Sequence, residues 1–348
     1  MAEKTLKLVV WDLDDTLWKG IISQDSNVVL NEQIPEIIRT LDSRGILQSV
    51  SSKNDFEPAM EMLKHFGLAE YFIYPQINWG PKHANIKHII EQINIGEDSV
   101  AFIDDQEFER GEVKHYLPQV TCIPASEISD LLNRKDLTPQ FITADSSLRR
   151  QMYQNDIVRK QAECEFQGDT TEFLKTLQMA VTISQAQESD LQRAEELTVR
   201  THQLNSTGYT YSHNELKALL EDDNYKVLVV ELNDIYGSYG TIGLVLLQCD
   251  QERWVIKLLI TSCRVISRGI GTTLLGYIIN QALGQNKGVY AEFIKTNRNR
   301  IMEITYSMMQ FNLAEELDGK QLLKYEGTGK VQLPEYITIN ERENIGAK

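Results

Sequence analysis

Short apolar runs that empty into polar groups, each followed by an amphipathic helix, constrain the first half of this chain more than any other feature. Leu8-Val9-Val10 runs into Trp11-Asp12-Leu13-Asp14-Asp15-Thr16-Leu17-Trp18. A helix follows with Ile34, Ile37, Ile38 and Leu41 on one face, stopping at Gly45 as a helix ending in a left-handed residue does. Residues 46–50 read as a second strand that leads into Ser51-Ser52-Lys53-Asn54. Asn54 or Asp55 is placed to cap the next helix, whose apolar face carries Met60, Leu63 and Phe66. Residues 71–74 read as a third strand, Asn78-Trp79-Gly80-Pro81-Lys82 opens a helix through Ile93, and residues 100–103 run into Asp104-Asp105. Strands alternating with helices predict a parallel, doubly wound sheet.

Asp12 and Asp14, Ser51 and Ser52, Lys82, and Asp104 and Asp105 all follow strands or open helices. In a parallel sheet those ends converge on one crevice. A buried strand ending in acidic groups needs a counter-charge, because unpaired buried charge is costly. A divalent cation fits, and Mg²⁺ takes one or two carboxylates with phosphate oxygens and waters. For phosphoryl transfer the roles are complementary. Asp12 attacks phosphorus and Asp14 supplies acid/base help. Ser52 and Lys82 hold the non-bridging oxygens. Asp104 and Asp105 complete a metal site with Asp12 and Asp14. Thr16, Ser51 and Asn54 stand beside them as substrate-binding groups. Singly each has a bland reading: a solvated lysine, a helix cap, an acidic turn. The ordered set is specific for phosphate.

The 348 residues allow two domains. A net charge of −15 opposes a general nucleic-acid or anionic-membrane surface. Cys122, Cys164, Cys249 and Cys263 show no C-x-x-C spacing and read as reduced thiols of a cytoplasmic protein. No apolar run approaches the ~18 residues of a membrane span, and Met1-Ala2-Glu3-Lys4 opens no signal region.

From residue 124 to about 178 the chain turns helical and polar. Arg149, Arg150, Arg159 and Lys160 form a basic cluster there, either on a solvated connecting helix or as a docking face for an acidic carrier helix. Beyond residue 179 a new period begins. Ser212-His213-Asn214-Glu215 makes a capping box, and strands follow at residues 226–232, 241–247 and 254–260. A long helix starts after Arg268-Gly269-Ile270-Gly271, and a strand at 289–293 and a helix around 302–309 come next. This order resembles the GNAT acyltransferase fold, in which a Gly-rich turn presents N–H groups to the coenzyme A pyrophosphate. Arg268, Gly269 and Gly271 are the carrier or pantetheine contacts that likeness implies. Ile266 stands where the fold usually has Arg or Gln, and a packing role for the glycines remains open.

The haloacid-dehalogenase (HAD) superfamily is resembled by residues 1–125, on Asp12-x-Asp14-x-Thr16, Ser52, Lys82 and Asp104-Asp105. The closer resemblance is to the FkbH-like proteins of polyketide biosynthesis. It is carried by residues 12–18, Ser52-Lys53-Asn54, Ile77-Asn78-Trp79-Gly80-Pro81-Lys82 and Phe102-Ile103-Asp104-Asp105, and extends over nearly the whole chain. It implies a Mg²⁺-dependent glyceryl transferase and phosphatase. Such an enzyme takes the three-carbon unit of 1,3-bisphosphoglycerate, removes phosphate and delivers a glyceryl thioester to the phosphopantetheine arm of an acyl carrier protein. The expected layout is a HAD-like domain at 1–135, a helical linker at 136–178 and a GNAT-like domain at 179–345.

Two further segments look like FkbH-like signatures. In residues 201–207, His202 is a base or a loop-fixing donor and Asn205 a substrate contact. In Ser262-Cys263-Arg264-Val265, Cys263 is an acyl-bearing thiol with Arg264 lowering its pKa, or a small buried hydrophobe. With no cysteine before Cys122, a thioester formed in the phosphatase cleft is disfavoured. Two other functions compete: a phosphatase of a small metabolite, and a non-catalytic carrier-binding scaffold.

Overall fold

A computed structural model describes residues 5–25 and 27–342. The reading of Met1 to Lys4 and the last three residues of the expected second domain, 343–345, lie outside the described residues. The chain divides into two compact units, Met1–Ile157 and Val158–Lys348.

In the first unit β1 (Leu8–Trp11) leads through β2 (Trp18–Lys19) and β3 (Val29–Leu30), a small hairpin, to α1 (Ile34–Ser43). Then come β4 (Leu47–Ser52), α2 (Phe56–His65), β5 (Gln76–Ile77), α3 (Lys82–Ile93), β6 (Val100–Asp104), α4 (Glu107–Tyr116) and β7 (Thr121–Pro124). The sheet order is β5-β4-β1-β6-β7, and every pairing is parallel. This is the doubly wound sheet that the alternating pattern predicts. β1 is fully buried, as a strand with helices on both faces must be. α1 turns Ile34, Ile37, Ile38 and Leu41 inward, each worth about 1.5–3 kcal/mol over exposure. It ends where Gly45 takes φ +71°, a conformation that a side chain disfavours.

The third strand differs from expectation. Residues Ala69–Tyr71 form a 3-10 turn, and Tyr74 has φ +50°, which breaks extended pairing just before Pro75. Phe72 therefore makes only an isolated bridge to Gln48, and the strand begins at Gln76. The short strand at Thr121–Pro124 extends the sheet by one more member.

The short α5 (Ala144–Ser147) closes the first unit, α6 (Arg149–Glu165) runs across the boundary at Ile157, and the second unit goes on with α7 (Thr170–Thr176) and β8 (Met179–Gln185). It continues with α8 (Leu191–Arg200), α9 (His213–Leu220), β9 (Tyr225–Asp234), β10 (Gly237–Cys249), β11 (Arg253–Thr261), α10 (Ile270–Gly284), β12 (Gly288–Ile294), α11 (Arg300–Met308), β13 (Phe311–Leu317), β14 (Lys320–Tyr325) and β15 (Ile337–Arg342). The capping box forms: Ser212 Oγ accepts from the Glu215 N–H, and Glu215 accepts from the Ser212 N–H at 2.8 Å. The eight strands run β13-β14-β12-β11-β10-β9-β8-β15, antiparallel except for β11–β12 and β8–β15. This is the expected α+β sheet.

The stretch 136–178, expected as a helical linker, packs into a core at each of its ends. Leu137 is buried in the first core and Phe173, Leu174 and Leu177 in the second. The arginines of its basic cluster are engaged in internal bonds. Arg149 donates to the Gly45 carbonyl at 2.9 Å. Arg150 pairs with Asp42 and reaches the Glu70 carbonyl. Arg159 is buried against Asp234. Among the described residues no helix is long and apolar enough to cross a membrane.

Candidate active site

The sheet of the first unit changes winding direction at β1, with β4 on one side and β6 on the other. Asp12 follows β1, Ser52 and Asp104 end β4 and β6, and Lys82 opens α3. The topology thus brings these residues to one edge. Lys82 Nζ lies 2.9 Å from Asp12 Oδ1 and 2.5 Å from Asp104 Oδ2, with all three side chains at most 5% exposed. One oxygen each of Asp12, Asp104 and Asp105 lies within 4.8 Å of the others.

Three carboxylates facing one ammonium leave an excess of two negative charges. Burial, with Asp104 adding to it, pushes Asp12 up to about 7 despite the opposing pull of Lys82. Burial and Asp104 likewise raise Asp105. For Lys82, burial works downward, but Asp12 and Asp104 outweigh it and hold the ammonium above its ordinary value. By itself the cluster relieves its excess charge by keeping a proton. A divalent cation relieves the same excess without one, so the donor set fits Mg²⁺: hard oxygens, few in number, beside a lysine suited to phosphate.

Asp14 sits differently. Its side chain is outside the three-carboxylate group: Trp18 Nε1 donates to Oδ1 at 2.8 Å, and Asn54 Nδ2 to Oδ2 at 3.0 Å. If Asp14 serves the metal, it does so through its backbone carbonyl. Asn54 Nδ2 also reaches Ser52 Oγ at 3.2 Å, tying Ser52 to Asp14. Strand alternation sends Ser51 to the face opposite Ser52. The Ser51 and Thr16 hydroxyls are buried with no hydrogen-bond partner, and such groups call for a ligand or water.

Several supporting residues are not among those the sequence singles out. Gln106 N–H donates to Asp104 Oδ1 at 2.7 Å, Arg110 to the Asp104 carbonyl, and Lys53 pairs with Glu109 at 2.7 Å. The i, i+2 spacing of Asp104 and Gln106 is a legible helix-start signal. The contact between Lys53 and Glu109 joins residues 56 apart and leaves no sequence trace.

In the second unit the expected residues divide. β11 and β12 pair only from Arg253–Gly288 to Ile256–Ala291 and then part. Residues 204–206 occupy that gap. Thr261 N–H donates to the Leu204 carbonyl, Ser206 N–H to Leu259 and Leu259 N–H to Ser206 Oγ on one side. Ile294 N–H donates to the Ser206 carbonyl on the other, at 3.1 Å. Asn205 is buried and spends its side chain on its own loop, accepting from Thr207 and Gly208 N–H and donating to the Tyr209 carbonyl. The expected substrate contact, Asn205, is in this structure a side chain that holds its own loop. His202 is exposed on the preceding turn.

Cys263 is half-buried at the start of a 3-10 turn that ends at Arg268. Arg264 donates to the Tyr239 carbonyl at 2.7 Å. Arg268, expected to meet a phosphate, is buried, bonded to Glu163 and packed over the Phe173 ring. Gly269 adopts φ +73°, and a Cβ there would lie 2.9 Å from the Tyr336 hydroxyl. Nothing in the structure requires glycine at 271, whose Cβ would meet only Thr305 at 3.7 Å. Gly269 thus answers to its backbone conformation and to the Tyr336 hydroxyl, whereas packing does not account for Gly271.

No protein-family model matches the chain. It is 27% identical over 136 residues to human (Homo sapiens) magnesium-dependent phosphatase 1, covering 34% of this chain and 76% of that protein. The structure is similar to the N-terminal part of BF1531 from Bacteroides fragilis, described as containing a phosphatase domain complexed with Mg. There the identity is 29% and the TM-score 0.36, over 39% of this chain and 42% of that one, so the chain spans less than half of that structure's length. It is also similar to the ribosomal-protein-S18-alanine N-acetyltransferase from Escherichia coli, at 16% identity and TM-score 0.33, over 43% of this chain and 97% of that one.

Proposed function

We propose that the first unit hydrolyses a phosphate ester with Mg²⁺ as cofactor. The observation that carries the reading is the buried Asp12–Lys82–Asp104 cluster with Asp105 at its edge. The likeness to a human magnesium-dependent phosphatase supports it. Asp12, Asp104 and Asp105 hold the ion, which supplies charge neutralisation for the incoming phosphate. Asp12 attacks phosphorus, the bond to the leaving oxygen breaks, and Asp14 gives that oxygen its proton. Asp14 then takes a proton from the water that attacks the aspartyl phosphate, releasing phosphate and restoring Asp12. Lys82 and Ser52 hold the non-bridging oxygens.

Within this chemistry the phosphate hydrolysed is the ester at the third carbon of 1,3-bisphosphoglycerate. The pantetheine thiolate of an acyl carrier protein attacks the carbonyl of the acyl phosphate at the first carbon and expels that second phosphate, leaving a glyceryl thioester on the carrier. The FkbH-like signature segments support that choice of substrate and partner. A second reading, a phosphatase of a small metabolite, is favoured by residues 204–206 filling the gap between β11 and β12. Incubation with 1,3-bisphosphoglycerate, Mg²⁺ and a carrier protein, read by intact mass, separates the two. A carrier that gains a glyceryl mass bears out transfer. Free phosphate with an unmodified carrier leaves the simple phosphatase. Cys263→Ser is expected to lower carrier loading and leave phosphate release unchanged; undiminished loading removes Cys263 from the path.

Mg²⁺ affinity is expected to depend on pH through Asp12. Its folded value near 7 lies above the ordinary 3.8. The group's share of metal-free stability is therefore fully present below about pH 4 and lost as pH rises through about 7. The ion needs the carboxylate, so its association constant rises by up to about tenfold per pH unit below pH 7, with about one proton released per ion. Titration calorimetry at pH 6 in two buffers of different ionisation enthalpy measures this. Binding with no proton release contradicts Asp12 as a ligand.

A further inference from the structure

The Asp14 carboxylate is gripped from two sides by groups to which no catalytic part has been given. Trp18 is 1% exposed, and its indole N–H has one direction to point, toward Asp14 Oδ1 at 2.8 Å. Asn54 is 3% exposed and directs its amide N–H groups to Asp14 Oδ2 and Ser52 Oγ. A third, longer donor, the Ile22 N–H, reaches Oδ1 at 3.3 Å. The β2–β3 hairpin carries Trp18, and the Asp14–Trp18 bridge anchors its base. The buried Trp18 ring packs beside Phe66, with their centroids 6.0 Å apart.

An indole N–H donates and never accepts, and an amide NH₂ does the same. Both therefore meet the Asp14 oxygens as donors alone. Each oxygen keeps a second lone-pair site, so the proton still has a place on Asp14. The two donors leave that site open. They also fix the plane of the carboxyl group, and direction matters as much as acidity for proton transfer.

We propose that Trp18 and Asn54 are positioning residues that make Asp14 an effective general acid for the leaving-group oxygen. Asn54 thereby becomes a support of the acid rather than a substrate contact. The inference rests on the phosphatase reading of the first unit. In the step concerned, the phosphorus–oxygen bond breaks, the electron pair stays with the leaving oxygen, and the Asp14 proton is transferred to it. A leaving group that is a stable anion needs that proton little, whereas an alkoxide needs it greatly.

The test compares two substrates in the full-length protein with Mg²⁺: p-nitrophenyl phosphate, whose leaving group is a stable phenolate, and an alkyl phosphate such as glycerol 3-phosphate. Trp18→Phe keeps an aromatic ring and removes the N–H. It is expected to lower kcat on the alkyl phosphate by about 10–100-fold, a general-acid contribution of ordinary size, and on the aryl phosphate by about threefold or less. Asn54→Ala is expected to show the same split, and the double variant to fall little below either single one, because both act through one carboxylate. Mg²⁺ affinity should not move in either.

An equal loss on the two substrates in both variants overturns the proposal, as does undiminished alkyl-phosphate turnover. If Trp18→Phe does not fold, judged by circular dichroism, Asn54→Ala alone carries the comparison. A wild-type protein that hydrolyses neither substrate would instead overturn the phosphatase reading itself.

Discussion

Asp12→Asn is expected to slow phosphate release at least about a thousandfold, because an amide neither attacks phosphorus nor holds Mg²⁺ as an anion. The loss falls on turnover, not on folding. Burial of the Asp12 carboxylate is what raises it to about 7, and the amide carries no such burden. Lys82 keeps Asp104 as its partner. The Asp12→Asn protein should therefore lose the stability change that metal-free wild type shows between about pH 4 and 7. A colorimetric phosphate assay and thermal melts across that range read the two effects. Retained turnover would mean that the nucleophile is misassigned. A melting profile as steep as wild type would mean that Asp12 is not the group taking up the proton.

Arg159→Met is expected to destabilise the second unit by about 3–5 kcal/mol, the usual cost of stranding one member of a buried pair. The two side chains are 1% and 0% exposed. Arg159 donates to both Asp234 oxygens, at 2.6 and 2.9 Å, and its guanidinium lies 3.8 Å from the Tyr239 ring centre. Asp234 also accepts from the N–H groups of Tyr236 and Gly237 and from the Tyr239 hydroxyl. The pair thus fastens α6 to the β9–β10 turn. For a unit with a stability of about 5–15 kcal/mol, that loss is a large share. Hydrogen exchange measures it locally: the amides of β9 and β10 should lose protection. Removing both charges, as Arg159→Met with Asp234→Leu, should cost less than Arg159→Met alone. Unchanged protection in the single variant would show that the pair adds nothing.

The first unit is legible in the sequence because its signals are local. A strand, a carboxylate at its end and the helix beyond lie close together along the chain, and one period repeats. Gly45, the capping box at Ser212 and the convergence of Asp12, Lys82 and Asp104 all follow from such spacing. What escapes the sequence depends on distant partners. Arg150 meets Asp42 across 108 positions and Arg159 meets Asp234 across 75, so a cluster that reads as solvated is built of arginines already bonded. Residues 204–206 lie in a mostly polar stretch, 201–207, that reads as a loop with functional side chains. Their backbone is what matters, since it fills a gap between two strands that lie further along the chain. β15 pairs with β8 from the other end of the unit. Trp18 lies only four residues from Asp14, yet its donor role needs the hairpin that turns the indole back.

Trapping the phosphoryl group on Asp12 decides whether this residue is the nucleophile. Wild-type protein turning over a phosphate ester with Mg²⁺ is quenched in acid and treated with borohydride, which reduces an acyl phosphate to an alcohol. Cleavage after Lys7 and Lys19 then releases the peptide bearing Asp12. Homoserine is expected at position 12, dependent on both substrate and Mg²⁺. Phosphate release with Asp12 unmodified, or with the label on Asp14 or Ser52, would contradict a phosphoryl group carried by Asp12.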